Sequence, residues 1–267
     1  MKKITLVLGG GGAKSFTHLG IVKVLQDNKI PINMLVTCSG GSFIGALIAN
    51  HVPINKIKQE FYTKTRRIKW FRIKLSKKGF FSQRNVRSIM GKLVPNIDIA
   101  ETRIPMRIIA TNLNKGELAI FKQGNLKEAV CASMAFPGIY DPIKINDDLY
   151  VDGGVLNAVP SDIARQENDN IVITINLDNN SNNETLDETN VFNIIHKSLY
   201  MPLLQKRGKI IKENSDIILE PFKTSEFNLR NWSDILRFHS VKKMEYFYQL
   251  GINEAKNKLK KIKEFIK

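Results

Sequence analysis

Four consecutive glycines, Gly9-Gly10-Gly11-Gly12, follow directly on a short apolar run, Ile4 to Leu8. They are followed in turn by Phe16, Leu19 and Val22, spaced three apart. The run reads as a buried strand and the spacing after it as a helix to about Asn28. The same order then recurs. Met34 to Thr37 is a second strand, Ser39-Gly40-Gly41 a second turn, and Phe43, Ile44, Leu47 and Ile48 mark a second helix. Strand, glycine turn and helix in that alternation favour a parallel sheet covered on both faces. The expected class is α/β, with three layers α/β/α around a central, mostly parallel sheet.

Later segments fit that frame. Met106–Leu113 and Glu117–Lys122 flank Asn114-Lys115-Gly116, the signature of a hairpin. Leu126 to Met134 reads as a helix stopped by Pro137-Gly138, Ile171–Leu177 as a strand, and Asp216–Leu219 as a last one. Residues 176–193 are rich in Asn and acids and read as a long exposed loop. From Val241 through Met244, Tyr248, Ile252, Ala255, Leu259, Ile262 and Ile266 the apolar spacing is three or four throughout, an amphipathic tail helix over 240–266. Nothing divides the 267 residues, so one domain over 1–267 is expected. Two cysteines, Cys38 and Cys131, build no disulfide framework, and the apolar run at the N-terminus is too short for a secretory signal. A cytoplasmic protein, in peripheral contact with membrane, is the expectation.

Charge is unevenly placed. Lys plus Arg is 41 and Asp plus Glu 25, a formal net of +16. Between residues 61 and 97 there is no acid, while Lys64, Arg66, Arg67, Lys69, Arg72, Lys74, Lys77, Lys78, Arg84, Arg87 and Lys92 are all basic. Trp70 and Phe71 sit among them, a composition suited to the boundary of an anionic bilayer. Arg66, Arg67, Lys69, Trp70, Phe71 and Arg72 are therefore the candidate membrane-facing residues of a basic cap, the other reading being a solvated face. No nucleic-acid signature accompanies the charge, and nucleic acid is not an expected partner. No metal-ligand cluster appears in the sequence, and neither metal nor cofactor is expected.

Three short patterns carry chemistry. The glycine run, continuing into Ala13-Lys14-Ser15, stands between strand and helix, where backbone N–H groups and the helix dipole face an anion. Two phosphate readings fail on spacing. A dinucleotide fingerprint would need glycine at Ser15, and a phosphate loop would need glycine at Ala13 and Leu8. A tight turn without a ligand is the alternative. The second pattern, Thr37-Cys38-Ser39-Gly40-Gly41, places a serine on a sharp strand-to-helix turn, with threonine where glycine is usual. The third is Asp152-Gly153-Gly154, an aspartate at a strand end that reads either as a turn former or as a base surrounded by backbone only. Of the histidines, His196 and His239 would complete a Ser, Asp, His order, but neither lies in a glycine-bounded loop. Both read as structural, and His18, on the helix after the glycine loop, reads as a packing or capping residue.

Taken together, these pieces resemble the patatin-like phospholipase family, from about Ile4 to Ala164. The resemblance is carried by the glycine loop with Lys14, by Ser39-Gly40-Gly41-Ser42-Phe43-Ile44-Gly45-Ala46-Leu47, by Ala132-Ser133 with Phe136-Pro137-Gly138, and by Asp152-Gly153-Gly154 with Asn157 and Pro160. It implies a patatin-like fold and a Ser–Asp dyad, with Ser39 as nucleophile and Asp152 as base. It also implies an oxyanion hole from Gly10, Gly11, Gly12 and Gly40, with Lys14, Gly41, Gly153 and Gly154 in support. The implied activity is metal-independent hydrolysis of fatty-acyl esters of phospholipids through an acyl-enzyme. Two departures stand out, Ser15 for the loop's last glycine and Thr37 for the first glycine of the elbow. A β-carbon at either place is expected to strain its turn, which makes a lipid-binding module of low activity the rival reading.

Overall fold

The computed structural model describes residues 2–67, 83–177, 205–222 and 240–267. Its centre is an eight-stranded sheet. The strands are β1 (Ile4–Leu8), β2 (Met34–Cys38), β3 (Met106–Asn112), β4 (Glu117–Phe121), β5 (Ile143–Ile145), β6 (Asp148–Asp152), β7 (Ile171–Ile175) and β8 (Ile217–Leu219). β1 pairs in parallel with β2 and β7, β2 with β3, and β7 with β8. The pairs β3–β4, β3–β6 and β5–β6 are antiparallel. The expected mostly parallel sheet is what forms.

The helices are α1 (Phe16–Asp27), α2 (Gly40–Ala49), α3 (Ile54–Arg67), α4 (Arg84–Leu93), α5 (Leu126–Ser133), α6 (Ser161–Glu167), α7 over residues 205–214, and α8 (Val241–Phe265). Successive strand residues alternate between two cores, as the two-residue period of a strand requires. Ile4, Leu6 and Leu8 of β1 and Leu35 of β2 pack with α1, α2, α4, α5 and α8. Val7, Met34, Val36 and Cys38 pack on the opposite face with Ile163 and Ala164 of α6 and Ile211 of α7. Three layers result, α/β/α.

Two of those helices touch backbone to backbone. A Cβ built on Gly20 of α1 would lie 2.0 Å from the Tyr248 carbonyl oxygen, and one on Gly251 of α8 would lie 2.1 Å from that of Thr17. Glycine at both positions lets the long tail helix settle on α1.

The basic segment holds more structure than its sequence suggested. α3 and α4 enter it from either side, and part of its charge meets acids from other elements. Arg87 forms a two-pronged ion pair with Glu128, and Lys92 lies 3.1 Å from Glu60. Arg66 and Arg67 end α3. Lys69, Trp70, Phe71 and Arg72 lie outside the described residues, as do the Asn-rich stretch from 178 onward, His196 and His239. No described helix is long and apolar enough to cross a membrane.

Register decides where the chemistry sits. β4 pairs with Ile108 to Asn112 of β3 and so occupies one edge of that strand. β2 pairs with Met106 to Ile109, and β6 with Ala110 to Asn112. Both must therefore share the other edge. β2 runs parallel to β3 and ends with Cys38 beside Ile109, while β6 runs antiparallel and ends with Asp152 beside Ala110. The two strands meet head on. The residues at which each chain leaves the sheet are thereby neighbours, although 113 positions separate Ser39 from Asp152.

Candidate active site

At that junction the Ser39 hydroxyl donates to Asp152 Oδ2 at 2.6 Å. Ser39 has φ 54° and ψ −128°, a region non-glycine residues rarely occupy and one that costs about 1–3 kcal/mol. The sharp turn is possible because nothing but hydrogen stands behind it. A Cβ on Gly41 would lie 2.2 Å from Leu8 O, and one on Gly153 would lie 2.5 Å from Ile109 O. Each glycine allows a chain leaving the sheet to cross another backbone.

Asp152 is buried. Its Oδ1 accepts the Gly154 N–H at 2.8 Å and faces the Cys38 thiol at 3.9 Å. Burial pushes its carboxyl up to about 6, against the opposing pull of the bonds from Ser39, Gly154 and Cys38. Cys38 is buried in the sheet, and burial next to that carboxylate holds its thiol well above the ordinary range. It is no reactive thiol at neutral pH.

The glycine loop approaches from the end of β1. Gly12 has φ +53° and opens a 3-10 turn, Gly12–Ser15. Gly40 opens α2. The first N–H groups of a helix have no partner within it. Gly11 is extended and lies against Leu177, whose Cδ1 would be 2.8 Å from an added Cβ. Gly10 is different. Its N–H donates to Ala158 O at 2.8 Å, which corrects the expectation that it serves an oxyanion. Lys14 sits on the loop with Nζ 5.2 Å over the Phe222 ring.

The two departures are not strained. Thr37 lies within β2 and Ser15 has φ −60°, a helical value, so neither backbone asks for glycine. Thr37 hydrogen-bonds Arg107 O at 3.0 Å and its methyl group packs beside Gly45. Ser15 is buried with its hydroxyl unpartnered, close to Gly40.

His18 takes a place that the sequence left as structural. It is buried on α1, and Nε2 lies 2.9 Å from Gly9 O. A carbonyl only accepts, so Nε2 carries the proton. Burial lowers the imidazole to about 4 and keeps it neutral. The ring ties α1 to the glycine loop. His51 is exposed at the end of α2.

Ser133 carries part of the family resemblance, and only the fold gives it a task. In the fold its hydroxyl accepts the Ser39 N–H at 2.9 Å, lies 2.9 Å from Ser42 Oγ and donates to Ile109 O at 2.6 Å. Two residues on, Ala135 O accepts the Asp152 N–H at 3.0 Å. The signal available in sequence was a small polar residue at the end of a helix that follows the hairpin, too common a feature to single out.

In this α/β protein a mostly parallel sheet thus brings a serine on a strand-to-helix turn of positive φ within hydrogen-bond reach of a buried aspartate. The patatin-like phospholipase family model matches residues 6–165, more than half of the chain and the whole of the site, and the chain belongs to that family. Patatin-like phospholipase domain-containing protein 6 of Mus musculus is 30% identical over 187 residues, 65% of this chain and 13% of that protein. The lysophospholipase NTE1 of Pyricularia oryzae is 30% identical over 165 residues, 58% of this chain and 11% of that one. An uncharacterized NTE family protein of Mycobacterium bovis is 26% identical over 177 residues, covering 66% and 49%. The chain thus spans about an eighth of the length of the mammalian and fungal relatives and about half of the mycobacterial one.

Proposed function

We propose that this chain hydrolyses fatty-acyl esters of phospholipids or lysophospholipids through a Ser39–Asp152 dyad. The observation that carries the reading is the 2.6 Å bond between Ser39 Oγ and a buried carboxylate, on a family match that spans both residues. The names of the relatives, a phospholipase domain and a lysophospholipase, supply the substrate class.

Asp152 ionised at neutral pH takes the Ser39 proton as Oγ attacks the ester carbonyl. The negative charge that develops on the carbonyl oxygen is met by the N–H groups of Gly11, Gly12 and Gly40, each donor worth about 3 kcal/mol in such a site. The proton returns to the leaving alcohol, an acyl-Ser39 ester remains, and water activated by Asp152 releases the fatty acid. A carboxyl raised to about 6 is well matched to that role, since it is ionised at neutral pH yet a better base than an exposed aspartate. The lipid surface is assigned to the basic segment. Arg66, Arg67, Lys69, Trp70, Phe71 and Arg72 would meet anionic headgroups, and replacing the four cations with glutamine is expected to weaken binding to anionic vesicles while sparing a soluble ester.

The test is chemical. Incubation with a panel of diacyl and lysophospholipids, with released fatty acids identified by mass, should show turnover that Ser39→Ala abolishes, and a fluorophosphonate should label Ser39. Vesicle binding without acyl release, in a folded parent protein, would establish the lipid-binding module instead.

A further inference from the structure

The β2–β3 ladder leads to a residue that acts behind the nucleophile. Leu35 N–H donates to Pro105 O at 2.9 Å, which fixes the ladder phase. In a parallel pair with this phase, every second residue of β2 donates to the residue 70 positions later. Thr37 pairs Ile108 and Cys38 pairs Ile109 in the same register, so the next rung after Thr37 is Ser39 N–H to Ile109 O. That rung is not made directly. Ser39 turns into the left-handed region at this point, and the Ser133 hydroxyl stands between the two groups, accepting from Ser39 N–H and donating to Ile109 O.

We propose that Ser133 is the positioning residue of the nucleophile, its hydroxyl replacing the last rung of the β2–β3 ladder so that Ser39 can leave the sheet with its N–H satisfied. The inference rests on the Ser39–Asp152 reading and deepens it. Donor and acceptor capacities agree with the role. Ile109 O can only accept, so the one Ser133 proton is committed to it and the lone pairs face Ser39 and Ser42. Ser133 is fully buried and lies on the sheet side of Ser39. The same turn holds the base, because Ala135 O accepts the Asp152 N–H. Ser133 at the end of α5 and Ala135 just past it thereby fix the backbone on both sides of the 2.6 Å bond.

Without that hydroxyl, Ser39 N–H is left buried without a partner or swings toward Ile109 O. Either movement draws Oγ away from Asp152. Substrate contacts are untouched, so the loss should fall on kcat and not on KM.

The experiment compares parent, Ser133→Ala, Ser133→Cys and Ser161→Ala on a soluble nitrophenyl ester, with the rate of fluorophosphonate labelling of Ser39 measured alongside. Ser161 is another fully buried serine, its hydroxyl bonded to Ile210 O of α7 at 3.4 Å. Ser133→Ala should lower kcat and labelling at least tenfold with KM within twofold. Ser161→Ala should lower the melting temperature while kcat stays within twofold of the parent. Should Ser133→Ala fail to fold, Ser133→Cys decides by the same readouts, since sulfur keeps the volume but accepts a hydrogen bond weakly. A folded Ser133 variant with parental kcat and labelling overturns the role. An inactive, unlabelled parent overturns the dyad reading and this role with it, so the two failures are told apart by the parent alone.

Discussion

The contact between α1 and α8 and the junction between β2 and β6 use the same device for opposite ends. In both, glycine lets one backbone press against the carbonyl of another, at Gly20 and Gly251 in the first and at Gly41 and Gly153 in the second. Around the helices the close approach seals apolar surface, with Leu19, Ile21, Phe247 and Ala255 buried nearby. Around the strands it confines a strained serine, a carboxylate and several hydroxyls. The first arrangement adds stability and no chemistry. The second stores unfavourable free energy, in the Ser39 backbone and in the buried charge of Asp152, and places a hydroxyl beside a carboxylate. Close packing is thus neutral with respect to function, and what is packed decides.

Removing the chemical groups should separate the two regions most sharply. Ser39→Ala is expected to lower ester turnover by at least about 10³-fold while leaving the melting temperature at or above that of the parent, because alanine carries no hydroxyl to hold. Asp152→Asn should be equally inactive and more stable at pH 7.5. The folded state holds the Asp152 proton more tightly than the unfolded chain, so stability falls as pH rises from about 4 to about 6. The amide escapes that loss, which for a rise from 3.8 to about 6 is about 3 kcal/mol. Chemical denaturation of both proteins at pH 4 and pH 7.5 measures it. A gap that does not widen toward pH 7.5 would show that the carboxylate is compensated in the fold.

At the helix contact the outcome should reverse. Gly20→Ala or Gly251→Ala drives a methyl group into a carbonyl and should cost about 3 kcal/mol, with kcat of the folded fraction unchanged, readable from denaturant midpoints and active-site titration.

The pH dependence of the intact protein is a smaller effect of the same buried charge. Below about pH 6 the base is protonated, so kcat/KM should fall about tenfold per pH unit and be level above it. His18, neutral down to about pH 4, should contribute nothing in that range.

The smallest effects sit at the two departures. Thr37→Gly should cost about 1–2 kcal/mol, through a weakened strand and a lost hydroxyl bond, and should not raise kcat. Ser15→Ala removes a buried hydroxyl without a partner and should stabilise by about 1 kcal/mol, as thermal melts would show. A rise in kcat for Thr37→Gly would restore the idea of a strained elbow.

Much of this is legible in the sequence. Local spacing sufficed for β1, α1, β2, α2, the β3–β4 hairpin, α5, β7 and α8, because each carries its own periodicity and its own glycine or proline stops. α3 and α4 were hidden by an excess of like charge that gave no acid within the segment. Their partners, Glu60 and Glu128, lie outside it or on another face. β5 has only three residues and β6 shows no clean alternation of buried and exposed positions, so neither announces itself.

The site divides along the same line. Ser39 and Asp152 could be picked out because each stands at a strand end beside glycines, and glycine there reports a backbone that must bend or pass close to another. Sequence by itself therefore determined the candidates. Only the tertiary structure decided their relations: that β2 and β6 meet on one edge of β3, that Gly10 spends its N–H on Ala158, that Thr37 needs no glycine, and that Ser133 stands in for a rung of the ladder. Local patterns are written by neighbours in the chain, whereas hydrogen-bond partners and the desolvation of Asp152 are set by groups that only folding brings together.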